Sequence, residues 1–365
     1  MPLEIGIVGL PNVGKSTLFN ALTRAGAAVA SYPFTTIEPN IGVVPVEDRR
    51  LADIAALIQP EKVVPTTVRF VDIAGLVKGA HRGEGLGNQF LGHIRNVDAI
   101  AMVVRCFEAS DVPHVTPELA PVNDIETVDV ELILSDLATV ERRIEKVKGR
   151  AKAQPREYAD ELVWLERLRA HLDSGALARG FAQTEQEEAW AKELFLLTAK
   201  PRLYVANVGE DDCPEGGALA QRVAACAAAE GAQAVAVCAQ VEMDLLDWPP
   251  DEAASYLAEL GLAESGLQRL VHAGYRLLDL ITFFTTTGGR VVQAWTVQRG
   301  TRAPQAAGRV HTDMERGFIR AEVVTYDDLM AASSVVAARE KGLLRLEGKE
   351  YVVQDGDVIH FRFAV

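Results

Sequence analysis

The residues with the clearest chemistry lie in a short glycine-containing loop near the start of the chain. Gly9 to Thr17 read G-L-P-N-V-G-K-S-T, which satisfies the phosphate-loop pattern G-x-x-x-x-G-K-[ST]. In such a loop the backbone N–H groups surround phosphate oxygens, the lysine reaches the β- and γ-phosphates, and the next hydroxyl ligates Mg²⁺. We therefore predict a nucleoside triphosphate site, with Lys15 also catalytic and Ser16 also a metal ligand, built from Asn12, Val13, Gly14, Lys15, Ser16 and Thr17.

The sequence on both sides of this loop supports the phosphate-loop interpretation. The apolar run Ile5 to Val8 precedes it and reads as a buried strand, and the helix-compatible residues Leu18 to Leu22 follow it. Strand, loop and helix in this order are the context that the motif requires. The alternative is a chance glycine-rich turn at the start of a helix. Such a turn would not require these flanking segments.

Two later segments are predicted to sense the γ-phosphate and to complete the metal site. The polar, proline-containing loop 31–40 carries Thr36, whose hydroxyl is expected to ligate Mg²⁺, with the preceding threonine as second choice. The apolar strand 68–72 ends in D-x-x-G. Asp72 is expected to hold Mg²⁺ through water, and Gly75 to offer its N–H to the γ-phosphate during catalysis. A surface loop without a metal role stays the alternative for the first segment.

Two further strand ends are predicted to contact the base. The run 201–206 ends in N-V-G-E where GTPases carry N-K-x-D, so the guanine-reading Asp is replaced by the longer Glu210. This change weakens guanine recognition, whereas an Asn amide can pair with adenine N6 and N7. After the run 234–237 comes a loop that can close over the base. We therefore predict ATP in preference to GTP, with base contacts from Asn207, Val208, Glu210, Cys238 and Ala239.

The group that positions the attacking water is not given by the motifs. Leu76 occupies the position where many GTPases carry a Gln for this purpose, and an apolar side chain cannot orient water. His114 is the catalytic candidate because it follows a central strand and an imidazole can hold water near neutral pH. The alternatives are a loop histidine without a role and a K⁺ ion seated with the help of Asn12.

Composition and charge limit the class of protein. The chain has 365 residues and a net charge of −14, which argues against indiscriminate nucleic-acid binding. No apolar stretch approaches the ~18 residues of a membrane span, and no signal-type segment opens the chain, so we expect a cytoplasmic protein without membrane contact. The four cysteines lie far apart and contain no C-x-x-C pair, which indicates free thiols.

The middle of the chain has helical periodicity. Apolar residues between 128 and 147 repeat at alternating four- and three-residue steps, which predicts a coiled-coil seam. A second helical run covers 162–172, a turn is expected at 175–180, and helical spacing returns at 190–197. We interpret this as an antiparallel helical arm inserted into the nucleotide-binding domain, with an ordinary packed subdomain as the alternative.

The C-terminal part predicts a separate small fold. Strand-like runs at 290–297, 317–324 and 358–363 surround a short helix at 303–310, as a small mixed sheet with a crossing helix requires. Residues 281–365 carry 11 Lys or Arg against 10 Asp or Glu, unlike the acidic remainder. An RNA-facing surface or a solvated basic face is therefore expected here, at Arg299, Arg302, Arg309, His311, Arg316 and Arg320.

Together the motifs resemble the Obg-like ATPase family of the YchF type across essentially the whole chain. The resemblance rests on G-L-P-N-V-G-K-S-T, Y-P-F-T-T-I-E-P-N, V-D-I-A-G-L-V-K-G-A, E-G-L-G-N-Q-F and N-V-G-E. That family is similar to Obg GTPases in fold but prefers ATP, and it is associated with ribosomes and translation. Leu76 also fits the hydrophobic-substituted class of GTPase-like enzymes to which the family belongs.

The resemblance implies an α/β fold with three parts. A P-loop, OBG-type G domain is expected at 1–127 and 199–278, the helical coiled-coil arm at 128–198, and a ubiquitin-like (β-grasp) TGS domain at 279–365. The implied protein is a monomeric ATPase with Mg²⁺, which binds the large subunit or the whole ribosome. Ribosomal RNA or tRNA would be contacted through the TGS domain and the arm.

Three other functions stay open on the residues alone. A nucleotide-gated RNA- or ribosome-binding adaptor would bind ATP with only incidental hydrolysis. A GTPase of the Obg type would require guanine recognition despite Glu210. A metabolic kinase would need a substrate pocket and a lid, whereas the sequence after D-x-x-G offers switch-like segments.

Overall fold

The computed structural model describes residues 3–29, 40–73, 86–109, 119–181 and 183–364. The strands in chain order are β1 (Glu4–Val8), β2 (Ile41–Pro45), β3 (Lys62–Val64), β4 (Thr67–Asp72), β5 (Ala99–Cys106), β6 (Arg202–Val208), β7 (Gln233–Val237), β8 (Leu280–Thr287), β9 (Val291–Gln298), β10 (Phe318–Thr325), β11 (Arg345–Glu347) and β12 (Asp357–Phe363). The helices are α1 (Lys15–Val29), α2 (Arg49–Ile58), α3 (Leu86–Asn96), α4 (Pro121–Ala151), α5 (Pro155–Asp173), α6 (Glu185–Leu194), α7 (Gly217–Ala229), α8 (Ala239–Leu245), α9 (Pro250–Glu259), α10 (Gly266–Leu277), α11 (Ala303–Val310), α12 (Thr312–Arg316), α13 (Tyr326–Ala332) and α14 (Val335–Glu340).

The chain divides into two compact units. One consists of Met1–Val43 and Arg69–Gly274, and the other of Val44–Val68 and Tyr275–Val365. The predicted domain boundaries place residues 44–68 with the nucleotide-binding part, whereas in the structure this segment belongs to the unit that contains the C-terminus. The finer division into a G domain, an arm and a TGS domain stays a prediction.

The first unit is built on a sheet with the strand order β2-β4-β1-β5-β6-β7. Neighbouring strands from β4 to β7 are parallel, and every residue of β5 is buried. A continuous apolar run such as A-I-A-M-V-V is typical of a parallel strand that helices cover on both faces. Because the strands are parallel, their carboxyl ends meet at one edge, which is where ligands of open α/β sheets bind. The strand predictions for this part of the chain are confirmed.

Between β5 and β6 lie the helices for which the sequence predicts an inserted arm. Helices α4 and α5 each begin with a proline in the first turn and are joined by three residues, so they run antiparallel. Their seam buries Ile144, Val147, Trp164 and Leu168 in one apolar cluster. The helix α6 completes this cluster through Leu194, after a capping box at its first turn. The coiled-coil periodicity therefore predicted the packed faces correctly.

A buried carboxylate fixes the arm to the chain that returns from it. Asp136 of α4 is 0% exposed, and its two oxygens accept hydrogen bonds from the backbone N–H of Leu197 at 2.8 Å and of Thr198 at 2.8 Å. The Thr198 hydroxyl donates a third bond at 2.7 Å. Burial raises the pKa of Asp136, and these hydrogen bonds oppose the rise. The carboxylate thus provides the acceptors for two buried N–H groups in a segment without regular structure.

The second unit contains a mixed sheet with the order β11-β10-β12-β8-β9-β3. The helix α11 covers one face, where Phe283 and Ile359 lie in its apolar cluster. The helices α2, α13 and α14 cover the other face, where Phe284 and Val292 are buried. Adjacent residues such as Phe283 and Phe284 point to opposite faces, as the period of two in a strand requires. The predicted small mixed sheet with a crossing helix is confirmed.

Residues 44–68 contribute to this second sheet through a short strand. β3 pairs in parallel with β9, with Lys62 opposite Val291 and Val64 opposite Gln293. Leu51 and Ile54 of α2 are buried in the cluster that contains Phe284. Within the described ranges, no helix is both long and apolar enough to cross a membrane.

Candidate nucleotide-binding site

The phosphate loop lies between β1 and α1, and its backbone requires small residues. Asn12 and Gly14 both have positive φ, 62° and 90°. A Cβ on Gly14 would overlap the Nδ2 atom of Asn207, and a Cβ on Gly9 would overlap the carbonyl oxygen of Val103. The loop therefore approaches the strands β5 and β6 more closely than a side chain permits. Lys15 of this loop is the first residue of α1, so the helix N-terminus faces the site of the phosphates.

Lys15 supplies the cation of the site. Its side chain is 8% exposed, and Nζ donates a hydrogen bond to the carbonyl oxygen of Leu10 at 3.2 Å. Burial lowers the pKa of Lys15, and the carboxylate of Asp72 opposes this effect. Burial raises the pKa of Asp72, because it disfavours the charged carboxylate, and the positive charge of Lys15 opposes this rise. A bound polyphosphate would favour the charged form of Lys15, because its negative charge would stabilise the ammonium that burial destabilises.

The side chain of Asn207 connects the phosphate loop to the loop after β7. Its Nδ2 donates to the carbonyl oxygen of Val13 at 2.9 Å, and its Oδ1 accepts from the backbone N–H of Ala239 at 3.1 Å. Asn207 is 5% exposed. Both ends of the amide are thus hydrogen-bonded to backbone, and this geometry favours a positioning role over the predicted pairing with adenine. Val13 itself is buried and takes part through its carbonyl group.

Glu210 is exposed at the mouth of the site, and its hydrogen-bond partner lies outside the predicted motif. Its Oε1 accepts a hydrogen bond from the hydroxyl of Tyr256 in α9. This bond raises the pKa of Tyr256 to about 12. The ring of Tyr256 packs against Trp248 with their centroids 5.2 Å apart. The carboxylate that replaces the guanine-reading Asp therefore has a fixed partner, which sequence reasoning missed because no local pattern links the two residues.

Cys238 is the N-cap residue of α8 and lines the site. Hydrogen bonding from the Cys213 thiol lowers the pKa of Cys238, and the backbone N–H groups of Val241 and Gln240 act in the same direction. Burial opposes these effects. All four cysteines are free, as the sequence indicated, although only Cys106 and Cys238 are buried.

These groups surround a cleft of about 470 Å³. The structure brings together ten predicted residues, namely Asn12, Gly14, Lys15, Ser16, Thr17, Asn207, Val208, Glu210, Cys238 and Ala239. Sequence reasoning missed Phe107, Glu108, Gly209 and Val241, which also line it. The position of Phe107 and Glu108 directly after β5 was an available signal, because every neighbouring parallel strand also ends at this edge. The guanidinium of Arg105 lies 4.6 Å from the centre of the Phe107 ring.

Several predicted residues lie outside the described ranges. Thr36 of the first switch-like segment, Gly75 and Leu76 of the second, and the water-positioning candidate His114 belong to this group. Their predicted roles stay predictions. Asp72, the metal-binding candidate of the second segment, is described and ends β4 beside β1, with Ile7 as its register partner.

Comparison with known proteins identifies the family. Residues 4–135 match a family model described as 50S ribosome-binding GTPase, and residues 280–364 match YchF-GTPase_C, described as a protein of unknown function. The chain is 52% identical to the ribosome-binding ATPase YchF of Bacillus subtilis and 50% identical to that of Haemophilus influenzae, over 100% of each chain. The Schizosaccharomyces pombe YchF GTPase structure matches with a TM-score of 0.89 and 34% identity, over 99% of this chain and 97% of that one.

The chain belongs to the YchF family. This confirms the family that its motifs indicated, together with a P-loop GTPase-like α/β fold. The names of the YchF relatives differ in the nucleotide, because the bacterial proteins are named ATPases and the yeast structure is named a GTPase. The choice of base must therefore be argued from the residues of this site.

The YchF site offers the oxygen ligands that Mg²⁺ prefers. The hydroxyl of Ser16 lines the cleft, and the carboxylate of Asp72 stands at the same sheet edge close enough to interact with Lys15. Among the described residues no group of three or more His, Cys, Asp or Glu side chains is placed so that it could hold a metal ion by itself. A site with one carboxylate and one hydroxyl fits Mg²⁺, which keeps several waters and is completed by substrate phosphates.

Proposed function

We propose that this YchF-family chain is an ATPase that binds the ribosome and acts as a nucleotide-dependent switch in translation or its regulation. The observation that carries the proposal is the cleft at the carboxyl edge of the parallel sheet, where Lys15, the helix N-terminus and Ser16 meet. Full-length relatives named ribosome-binding ATPases support both the activity and the partner. We further propose that the protein is a cytoplasmic monomer.

The residues of the cleft divide into a phosphate end and a base end. Lys15 and the loop N–H groups would hold the triphosphate, and Ser16, Thr36 and Asp72 would hold Mg²⁺, which neutralises phosphate charge when bound. Gly75 would contact the γ-phosphate. The water would be positioned by His114, with a K⁺ ion near Asn12 as the second route.

The base end supports ATP over GTP for two reasons. Glu210 is a methylene longer than the guanine-reading Asp, and its hydrogen bond with Tyr256 fixes it at the mouth of the cleft. Val208 is 3% exposed, so the position of the lysine in N-K-x-D is filled here by a buried apolar side chain. The GTPase names of some matches make the Obg-type GTPase the second candidate.

Turnover and affinity measurements test this function. Wild-type protein should bind ATP more tightly than GTP, and ribosomes should accelerate its slow ATP hydrolysis. Lys15→Ala should abolish turnover without unfolding the chain, because within the described ranges its ammonium hydrogen-bonds to the protein only at the Leu10 carbonyl. Unchanged turnover and affinity in Lys15→Ala would refute the phosphate site. Ribosomes that bind the ATP-loaded form without accelerating hydrolysis would favour the adaptor.

A further inference from the structure

Two of the four cysteines lie side by side at the base end of the nucleotide cleft. Cys213 ends the short 3₁₀ helix Glu210–Asp212 that follows β6, and Cys238 directly follows β7. The Cys213 thiol donates a hydrogen bond to the sulfur of Cys238. Because β6 and β7 are neighbouring parallel strands, with Asn207 opposite Val237, both thiols lie at the carboxyl edge of the sheet. We call residues 209–213 and 238–241 the base loops.

The surroundings of the two thiols favour a thiolate at Cys238. The hydrogen bond from Cys213 lowers the pKa of Cys238, and the backbone N–H groups of Val241 and Gln240 act in the same direction. The same hydrogen bond raises the pKa of Cys213, and burial adds to this rise. The pair therefore offers one nucleophilic sulfur and one protonated neighbour. This is the arrangement in which a cysteine reacts with an oxidant and a second thiol resolves the product.

A buried cation stands beside the thiol pair. The positive charge of Arg269 in α10 acts on Cys213 and opposes the rise of its pKa, whereas Glu242 adds to that rise and Glu210 acts on Cys238 in the same sense. The Nη2 of Arg269 donates to the carbonyl oxygen of Ala236 at 3.0 Å. Its Nε is buried and has no hydrogen-bond partner among the described residues. The guanidinium can therefore stabilise the negative charge that develops on Cys213 when this thiol loses its proton.

The other two cysteines provide an internal comparison. Cys106 is 1% exposed, and burial raises its pKa to about 12. Cys226 is half-exposed on α7. Within the described ranges, no hydrogen bond joins either residue to another thiol. Only Cys213 and Cys238 therefore combine mutual contact with access from the cleft, which Cys238 lines.

We propose that Cys213 and Cys238 form a reversible disulfide that ties the two base loops together and closes the base end of the cleft. A peroxide is the oxidant. The Cys238 thiolate attacks one peroxide oxygen and becomes a sulfenic acid, while the other oxygen leaves as hydroxide and takes up a proton to give water. The Cys213 sulfur then attacks the sulfenic sulfur, and its proton leaves with the hydroxyl group as a second water. Two thiols are oxidised and one peroxide is reduced, and a dithiol reverses the bond by exchange.

The disulfide changes the part of the cleft that would hold the base. An S–S bond of about 2.05 Å is shorter than any hydrogen bond between two sulfurs, so its formation draws the base loops together. Gly209, Glu210 and Ala239 line the cleft on these loops, and the Ala239 N–H is held by Asn207. By linkage, bound ATP should slow disulfide formation, and the disulfide should weaken ATP binding. This effect on ATP rests on the proposed function, whereas the disulfide itself does not.

The first test locates the disulfide. Nucleotide-free wild-type protein is treated with hydrogen peroxide, denatured and alkylated, and its peptides are analysed by mass spectrometry without reduction. We expect one disulfide between Cys213 and Cys238, with Cys106 and Cys226 alkylated. Cys213→Ser should instead accumulate a sulfenic acid at Cys238 that dimedone traps, and the matched control Cys226→Ser should form the wild-type disulfide. No disulfide in the wild type, or equal trapping in the wild type and Cys213→Ser, overturns the inference.

The second test measures ATP affinity of the oxidised and the reduced wild type. We expect oxidation to weaken ATP binding by about 5–150-fold, the usual range of coupling between two sites, and dithiothreitol to restore it. Cys226→Ser should respond as the wild type does. A protein that contains the disulfide and binds ATP as tightly as the reduced form would overturn the closure of the base end. If the reduced wild type binds neither ATP nor GTP, the proposed function fails, and the location of the disulfide alone decides the inference.

Discussion

The hydrogen bonds of Asn207 predict that two substitutions far apart in sequence are energetically coupled. Gly14→Ala introduces a Cβ at φ +90° that overlaps the Nδ2 atom of Asn207. The left-handed backbone costs about 1–2 kcal/mol for a residue with a Cβ. The overlap also displaces the amide from the Val13 carbonyl and the Ala239 N–H, and each buried group left unpaired costs about 1–3 kcal/mol.

Asn207→Ala removes the same two hydrogen bonds and also removes the atom that Gly14→Ala would overlap. In the double variant these two hydrogen bonds are lost only once. The free energy of unfolding then falls by the cost of Asn207→Ala and by the backbone cost of Gly14→Ala alone. We therefore expect the double variant to be about 2–6 kcal/mol more stable than the sum of the single effects predicts, because that sum counts the two unpaired groups twice. The assay is urea-induced unfolding without nucleotide for wild type, both single variants and the double variant.

A second cycle provides the control. Gly42→Ala in β2 places a Cβ 3.0 Å from the hydroxyl of Thr23 in α1. In the strand order of the sheet, β2 is four strands away from β6, which corresponds to about 19 Å. Its combination with Asn207→Ala should be additive within about 0.5 kcal/mol. If the Gly14 cycle is equally additive, Asn207 does not hold the phosphate loop to the loop after β7, and our account of this residue is wrong.

Two further predictions concern base choice and the root of the arm. Glu210→Asp should shift the relative affinity toward GTP by about 1–3 kcal/mol, which is the discrimination that one bidentate pair provides. Tyr256→Phe is the control: it removes the hydrogen bond to Glu210 without shortening the side chain, and it should keep the ATP preference. Calorimetric titration with both nucleotides checks this, and an unaltered ratio in Glu210→Asp would contradict it. Asp136→Ala should lower the free energy of unfolding by about 2–4 kcal/mol, because two buried N–H groups lose their acceptor. The exposed Asp211→Ala should stay within about 0.5 kcal/mol of wild type in the same urea unfolding, and equal stability of the two variants would refute the role of Asp136.

The sequence predicted the elements that depend on local pattern. The phosphate loop, the strands that carry it and the helical seam of the arm each follow from residue spacing over fewer than about twenty positions. Because parallel strands end at one edge, the order of these strands also predicted that most site residues meet. Within this frame Lys15, Ser16 and Glu210 line the cleft as expected.

Features that depend on distant pairing could not be predicted in the same way. The amide of Asn207 donates a hydrogen bond to the backbone carbonyl of Val13, 194 residues earlier in the chain. Every residue has a backbone carbonyl, so the residue type at position 13 does not indicate this contact. The three-residue strand β3 joins the C-terminal sheet through β9, more than two hundred residues later. Neither composition nor periodicity of residues 44–68 indicates which sheet will accept them, since a short strand can pair with any available edge.

Ion pairing also could not be predicted, because a sequence shows how many charged residues there are and not which of them pair in the fold. The near-neutral balance of residues 281–365 pointed to the C-terminal end as the RNA-facing part. In the structure Arg299 and Arg302 stand beside carboxylates, and an exposed cation with such a partner attracts a phosphate less than a free one does. Lys152, which caps the end of α4, and Arg156, in the first turn of α5, have no such partner among the described carboxylates. A count of charges along the sequence therefore does not show which cations are still unpaired after folding, and it is a poor guide to where a polyanion binds.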